Sequence, residues 1–427
     1  MPAERGRGGI RLVLVLLCWL FAATVAAQPV AADSTADEPG AQLQVSLFTF
    51  GPGEIYWERF GHNAIAVRDL RSGEAISFNY GIFDFEEEDF FLNFLRGHMQ
   101  YSMEASTLDE DIALYRDEGR AVLEQRLALS PAQRLQLREF LLWNLRPENA
   151  KYRYEYFSSN CSTKVRDALD QVLGGAIRRS LESRSRGNTY RLQADRLMAP
   201  IPELMLPMDM GLGPYADRRL SFWDESFIPA AFAEHIAQVN IIDTQGRSVP
   251  LVEYSKRWSE PNARLQADER SWLRRAGPYP IGYALPVAAI SIALCLLLWL
   301  TARSPRPRLA LLFALCASVF ALLAGTAGLA LLGLWSLTDH ISAWRNENLL
   351  LLNPLLLLLL PALWRTRRPD WRSGRFVRVL AGLILALAGI ALAGKVLPWF
   401  VQENAVWLAL LLPPHLLLAW RLLRRQD

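Results

Sequence analysis

The stretch that decides the fold reads, in order, Tyr156-Phe157-Ser158-Ser159-Asn160-Cys161-Ser162-Thr163-Lys164-Val165-Arg166-Asp167. Aromatic residues alternate from Tyr152 to Phe157, which is typical of a strand. Ser158, Ser159 and Asn160 all favour the N-cap of a helix, and apolar residues recur at helical spacing after them. The pattern therefore predicts a strand and then a helix, with Cys161 in the first turn on the packed side.

A cysteine at the start of a helix has two interpretations. The helix N-terminus carries partial positive charge, which stabilises a thiolate and so favours a nucleophile. A small apolar residue buried at a helix start is the alternative. Cys161 is the one cysteine of four that lies outside an apolar segment.

Composition divides the 427 residues into two halves of different character. Up to about Arg275 the chain is typical of a globular protein, and after Gly277 it is mostly Leu, Ala, Val, Trp and Pro. The net charge of +3 is small. No dense Lys/Arg patch interleaved with aromatic residues occurs in the globular half, so we expect no nucleic-acid partner.

The N-terminus has the features of an export signal. Arg5, Arg7 and Arg11 precede an apolar run that ends near Val25, and small residues follow. This predicts a signal peptide at 1–27 and a linker at 28–40. A single cysteine in an oxidising compartment cannot be half of an intramolecular disulfide, which favours a reactive Cys161.

Residues 41–260 are predicted to form an α+β domain, followed by a linker at 261–278. Alternating strand patterns and a Ser-Pro helix start at Ser130 define most of it. The expected strands begin near residues 43, 64, 74, 100 and 121, and the expected helices lie near 109–117, 130–145, 161–173 and 229–239.

Residues 279–427 are predicted to form a five-helix all-α transmembrane domain, since about 20 apolar residues cross a bilayer. The spans are expected at about 281–301, 309–334, 349–364, 377–399 and 404–420. Arginines concentrate after the first, third and fifth spans, and the loops near Asp339 and Glu403 are poor in basic residues. The positive-inside rule then places the globular domain outside the cytoplasm, in agreement with the signal.

A cysteine nucleophile needs a base. His62 is the best candidate, because it opens a strand after a Gly-Pro-Gly turn. Asn79 on the next strand is expected to hold its ring, with Ser77 as the alternative. His98 is interpreted as a surface residue and His235 as a structural one. No residue spacing suggests a closed ligand set, so we predict no metal and no cofactor.

Four motifs in a fixed order resemble the Lnb-type periplasmic domain family: Phe60-Gly61-His62-Asn63-Ala64, Asn79-Tyr80-Gly81-Ile82-Phe83, Phe94-Leu95-Arg96-Gly97 and Asn160-Cys161-Ser162-Thr163. The five-span half resembles the Lnb-like transmembrane domain. The resemblance covers nearly the whole mature chain.

The resemblance implies a circularly permuted papain-like fold, in which the histidine precedes the cysteine. It also implies a bacterial lipoprotein N-acyltransferase in the inner membrane, with the catalytic domain in the periplasm. Cys161 would take an acyl chain from a phospholipid donor, and His62 would assist its transfer to the N-terminal amine of a lipoprotein acceptor.

Two other functions stay open. A membrane-tethered cysteine peptidase or amidase acting on cell-wall peptides could use the same pair, although a soluble substrate would not require five spans. A sensor or scaffold with an inert Cys161 is the non-catalytic alternative. For lipid acyl transfer we expect the site to open towards the bilayer, with loop 335–348 near its mouth. Lys395 and His415, inside spans, are expected to be structural.

Overall fold

The structure is a computed structural model, which describes residues 38–267, 281–304, 306–368 and 370–424. The predicted signal peptide at 1–27 lies outside these residues, as do most of the predicted linkers at 28–40 and 261–278. The described chain forms a mixed sheet-and-helix domain followed by a helical membrane domain, as the sequence predicts.

The first domain is built on an antiparallel sheet. The strands are β1 (Leu43–Phe50), β2 (His62–Asp69), β3 (Ala75–Ile82), β4 (Gln100–Thr107), β5 (Val122–Leu127), β6 (Tyr152–Arg153), β7 (Asn240–Ile242), β8 (Ser248–Pro250) and β9 (Val252–Ser259). Seven of them form the sheet in the order β6-β4-β3-β2-β1-β5-β9, and β7 pairs with β8 in a separate hairpin.

Helices follow in the loops between and after these strands. They are α1 (Phe90–Arg96), α2 (Leu108–Asp117), α3 (Pro131–Asn144), α4 (Pro147–Ala150), α5 (Cys161–Val172), α6 (Ala176–Leu181), α7 (Tyr190–Met198), α8 (Pro202–Gly211), α9 (Phe222–Glu225) and α10 (Pro229–Ile236). Helix α3 begins as predicted: Ser130 and Gln133 form a capping box, and Pro131 occupies the first helical position.

Both faces of the sheet centre are buried. Helices α3, α5 and α10 cover one face, where Leu47, Ile65 and Phe78 join the main core. Helix α2 covers the opposite face over Phe48 and Phe50. A strand buried on both faces carries apolar residues almost without alternation. This accounts for the adjacent apolar residues Leu47 and Phe48 in β1.

Two strand predictions need correction. The strand predicted from Tyr152 to Phe157 ends at Arg153, because the chain then turns back on itself. In this turn the Glu155 carboxylate accepts the Phe157 and Ser158 N–H groups at 3.0 and 2.7 Å. Strand β9 was not predicted; it pairs with β5 at the sheet edge.

The second domain contains α11 (Ile281–Arg303), α12 (Pro307–Leu337), α13 (Leu360–Arg365), α14 (Arg375–Ala393) and α15 (Ala405–Leu423). Within the described residues, five helical segments are long and apolar enough to cross a membrane: Leu285–Arg303, Pro307–Leu337, Glu347–Arg365, Arg375–Val396 and Ala405–Leu423. Much of the third is 3-10 helix, in the segments Glu347–Leu350 and Pro354–Leu359.

A buried polar joint connects the two domains. Arg191 donates to Asp209 at 2.7 Å and to the Leu212 carbonyl at 2.8 Å. From the membrane domain, Gln402 donates to the same Leu212 carbonyl at 3.0 Å, and Asn346 donates to the Met210 carbonyl at 2.9 Å. The loops that contact the first domain are therefore the two with few basic residues, which agrees with the topology predicted from charge.

Candidate active site

His62 and Asn79 are neighbours across two strands. Asn79 pairs with Ala64, two residues after His62, so the two side chains lie diagonally on one face. His62 Nε2 and Asn79 Oδ1 are 2.9 Å apart. The Phe50 and Tyr115 rings stack on the imidazole with centroids at 6.0 and 6.2 Å, which fixes its plane.

Cys161 is the first residue of α5, with Asn160 as its N-cap. The Asn160 side chain accepts the Thr163 N–H at 2.9 Å, completing a capping box with Thr163. The Ser162 hydroxyl contacts both the Asn63 Oδ1 atom at 2.8 Å and the Ser226 carbonyl at 2.7 Å. These bonds hold the start of α5 against the start of β2, where His62 lies.

Asp111 determines which way the Asn79 amide faces. Asn79 Nδ2 donates to Asp111 Oδ2 at 2.8 Å, and the other oxygen of Asp111 accepts from Ser106 at 2.7 Å. The oxygen of Asn79 must then face His62, so His62 Nε2 carries the proton. Nδ1 is left as the basic nitrogen for Cys161.

Asp111 was not predicted from the sequence. It lies between Leu108 and Ile112 on the buried face of α2, where it is nearly inaccessible to solvent. A carboxylate on the apolar face of a helix is unusual without a partner. The position of Asp111 between two apolar residues of that face was the signal in the sequence that could have identified it.

Cys161 and His62 form a hydrogen-bonded pair. Burial acts to raise the pKa of the Cys161 thiol, but the charge of His62, its hydrogen bond and the Asn63 and Ser162 N–H groups outweigh burial, and the pKa is lowered. Burial acts to lower the pKa of His62, but the charge and hydrogen bond of Cys161 and the bond to Asn79 raise it overall. Both shifts favour a thiolate–imidazolium pair.

Hydrogen-bond donors converge beside the thiol. As the first residue of α5, Cys161 has no carbonyl within its own helix to receive its N–H. The Tyr152 hydroxyl is buried within reach of the Gly81 backbone, and no acceptor for its proton is found among the described residues. A Cβ at Gly81 would lie 3.4 Å from Cys161 Cβ and 3.9 Å from both the Cys161 nitrogen and the Tyr152 oxygen. Gly81 thus leaves open the space that these two donors border.

Two family models match the chain in order. The Lnb N-terminal periplasmic domain matches residues 32–196, and the Lnb transmembrane domain matches residues 281–426. The chain belongs to the Lnb family. No curated protein and no solved structure matches it. In this Lnb-family protein, Cys161, His62, Asn79 and Asp111 all lie within the first match.

The other histidines have structural contacts. His235 is fully buried and bonds Glu225 at 3.1 Å. His98 is exposed, as expected, but bonds Asp339 of the membrane domain at 2.8 Å. His415 bonds the Leu411 carbonyl of its own helix at 2.7 Å.

The contacts of Lys395 are structural too. It pairs with Glu347 of the membrane domain and donates to the Gln402 carbonyl at 2.7 Å. Within the described residues, no three His, Cys, Asp or Glu side chains are grouped to hold a metal ion.

A row of aromatic rings connects the thiol with the membrane domain. The Tyr154 hydroxyl is close enough to Cys161 for the thiolate charge to add to burial in raising its pKa. Tyr154 contacts Tyr156 with ring centroids at 5.9 Å, and Tyr156 stacks on His340 at 6.0 Å. His340 belongs to loop 335–348, so Tyr154 and Tyr156 connect this loop with the surroundings of Cys161.

Proposed function

We propose that this Lnb-family protein transfers a fatty acyl chain from a phospholipid, through a thioester on Cys161, to the N-terminal amine of bacterial lipoproteins. The inner membrane, with the first domain in the periplasm, is the location that this reaction requires. The observation that carries the proposal is the activated Cys161–His62 pair, joined by aromatic rings to the outer end of the membrane domain.

In the first half-reaction the Cys161 thiolate attacks the ester carbonyl of the phospholipid. The Cys161 N–H and the Tyr152 hydroxyl donate to the oxyanion that forms. Collapse breaks the bond to the glycerol oxygen, which takes the proton from His62 and leaves as a lysophospholipid. The acyl chain is then held as a thioester.

In the second half-reaction the neutral amine of the lipoprotein attacks the thioester carbonyl. His62 Nδ1 takes a proton from the amine as the new C–N bond forms. The C–S bond breaks, the thiolate is restored, and the product is an amide. Attachment to the membrane keeps both lipid substrates at high effective concentration around the pair.

The decisive experiment compares lipoproteins from cells with the gene, without it, and with Cys161→Ser. Mass spectrometry of N-terminal lipopeptides is expected to show an acylated amine only with the wild-type gene. The Cys161→Ser protein, checked for its amount in the membrane, is the matched control.

A free amine in all three strains would overturn the proposal. Cell-wall peptides from the same strains test the peptidase alternative. Cleavage products that depend on Cys161, together with unchanged lipoproteins, would identify a peptidase or amidase instead.

A further inference from the structure

An exposed apolar surface borders the candidate active site. Its members are Tyr56, Trp57, Phe85, Phe91, Phe94 and Leu95, which we call the aromatic rim. Phe91 and Leu95 are 68% and 65% exposed, and no residue of α1 is buried. Apolar residues clustered in this way on a surface mark a place where something other than water is bound.

The rim is one surface, although its residues come from two parts of the chain. Trp57 meets the edge of Phe85 with ring centroids at 6.0 Å, and Phe85 meets Phe90 at 5.2 Å. The turn that holds Trp57 leads into His62, and Phe85 follows the strand that carries Asn79 and Gly81. The rim therefore lies on both chain segments that enter the site.

Helix α1 is attached to the outer end of a membrane span. The Asp339 N–H donates to the Arg96 carbonyl at 2.8 Å, and His340 Nε2 donates to the Phe94 carbonyl at 2.9 Å. Gly97 permits this approach, because a Cβ there would lie 3.0 Å from the Asp339 carbonyl carbon. The motif Phe94–Gly97 is thus a docking point for the membrane domain.

The depth of this attachment follows from the length of α12. Its 31 residues extend for about 46 Å, which exceeds the hydrocarbon core of about 30 Å. Leu337, the last residue of α12, is 79% exposed. Asp339 follows two residues later, so α1 is attached just beyond the end of a helix that is longer than the hydrocarbon core, beside an exposed apolar side chain.

We propose that the aromatic rim inserts into the outer leaflet of the membrane and holds the mouth of the site at the level of the lipid. Aromatic and aliphatic side chains at this depth bury their apolar area among head groups and the upper acyl chains. The residues before α1, Glu86–Asp89, are acidic. Apolar burial therefore drives insertion, and attraction to anionic lipid does not.

This inference does not rest on acyl transfer, since a peptidase with the same rim would insert equally. The test places a fluorescent amino acid at position 91 or 95 of the full chain by codon suppression. Position 76 is the matched control: Ile76 is 43% exposed and pairs with Thr107, at the end of β4 away from α1. Each protein is reconstituted in nanodiscs of phosphatidylcholine that carry a nitroxide near the top of the acyl chain.

The expected result is quenching by the nitroxide lipid that is several-fold stronger at positions 91 and 95 than at position 76. Equal quenching at the three positions would overturn the proposal, because the rim would then face water. Quenching that appears at 91 and 95 only after a synthetic lipopeptide is added would also overturn it, since the rim would then be an acceptor site.

Discussion

Ser162, the residue after the cysteine, donates a hydrogen bond to Asn63, the residue after the histidine, over 2.8 Å. Asn63 is itself held by β1, since its amide nitrogen donates to the Phe48 carbonyl at 3.2 Å and to the Thr49 hydroxyl at 2.8 Å. The separation of Cys161 and His62 is therefore controlled by their neighbours in the chain. The Cys161–His62 hydrogen bond is therefore not the only contact that keeps these two residues together.

Replacing Ser162 by Ala should lower the stability of the folded protein and also the rate of acyl transfer. Asn63 Oδ1 and the Ser226 carbonyl share the single hydroxyl proton of Ser162, and its removal from this buried site costs about 1–3 kcal/mol. The measurement is the Tm of the full chain in detergent, with Ser158→Ala as control because Ser158 is exposed. Equal Tm values for the two variants would show that the Ser162–Asn63 bond is not important.

Cys161→Ser and His62→Ala are both expected to abolish acyl transfer while the protein stays folded and inserted. A serine hydroxyl does not ionise near neutral pH, and without His62 the thiol loses its base. Intact-mass measurement after incubation with phospholipid vesicles checks this, since only the wild-type chain should gain the mass of an acyl group. An acyl group found by peptide mapping at a residue other than 161, in the wild-type chain and in Cys161→Ser alike, would exclude Cys161 as the nucleophile.

Alkylation of Cys161 by iodoacetamide should follow a pH profile set by the pair. The pKa of Cys161 is lowered from 9.0, so the thiolate forms at lower pH than in a free cysteine and is lost as pH falls through that lowered value. The pKa of His62 is raised from 6.5, so its imidazolium is lost as pH rises through the raised value. Both shifts act to widen the pH range in which the thiolate and the imidazolium coexist.

His62→Ala removes the charge and leaves burial, the cause that raises the pKa of the thiol. The alkylation midpoint should therefore move to higher pH in this variant. Site-resolved mass spectrometry separates Cys161 from Cys295 and Cys316, which lie in the spans. An unchanged midpoint in His62→Ala would mean that the histidine does not charge the thiol.

Asp111 is expected to act as a positioning residue through Asn79. In Asp111→Ala the Asn79 amide loses the acceptor at 2.8 Å that orients it, and its nitrogen can turn towards His62. Loss of a hydrogen bond to a charged group costs about 2 kcal/mol, or about 30-fold in kcat/KM. Asp111→Asn retains an acceptor oxygen and should recover most of the activity.

A purely structural role for Asp111 would lower the Tm without altering the pH profile of Cys161 alkylation. A positioning role moves the profile as well, because the tautomer of His62 changes. Asp109→Asn is the matched control, since Asp109 lies on the exposed face of the same helix. An effect of Asp109→Asn as large as that of Asp111→Ala would contradict the assignment.

The helices and strands that the sequence predicted correctly are those marked by residues close together in the chain. The helix starts at Ser130 and Asn160 could be recognised because capping residues act within one turn. The strands expected to begin near residues 64 and 74 are β2 and β3, which pair and bring His62 to Asn79. The circular permutation of a papain-like fold stays a prediction.

Contacts between distant segments could not be predicted in this way. Asp111 is 32 residues from Asn79, and nothing in the local pattern of α2 indicates that partner. Strand β9 is largely exposed, so it lacks the apolar alternation by which strands are recognised. The bond from Asp339 to Arg96 joins two domains and depends on how they pack.

Tyr152→Phe is expected to separate oxyanion stabilisation from thiolate formation. The Tyr152 hydroxyl and the Cys161 nitrogen both border the space left open by Gly81, and no acceptor for the hydroxyl proton is found among the described residues. The pKa of Tyr152 is raised, mainly by burial and further by the charge of the Cys161 thiolate. The hydroxyl therefore stays protonated and can act as a donor. Loss of one oxyanion donor slows acyl transfer by about 100-fold or more.

Alkylation by iodoacetamide forms no oxyanion, so its rate in Tyr152→Phe should equal the wild-type rate while thioester formation from phospholipid falls. Tyr80→Phe is the matched control: that hydroxyl is bonded to Asn144 at 2.7 Å, and its loss should leave the ratio of the two rates unchanged. If both rates fell together in Tyr152→Phe, the hydroxyl would be supporting the Cys161–His62 pair. If neither fell, the oxyanion would be stabilised by the Cys161 N–H and other donors, and Tyr152 would have no part in the chemistry.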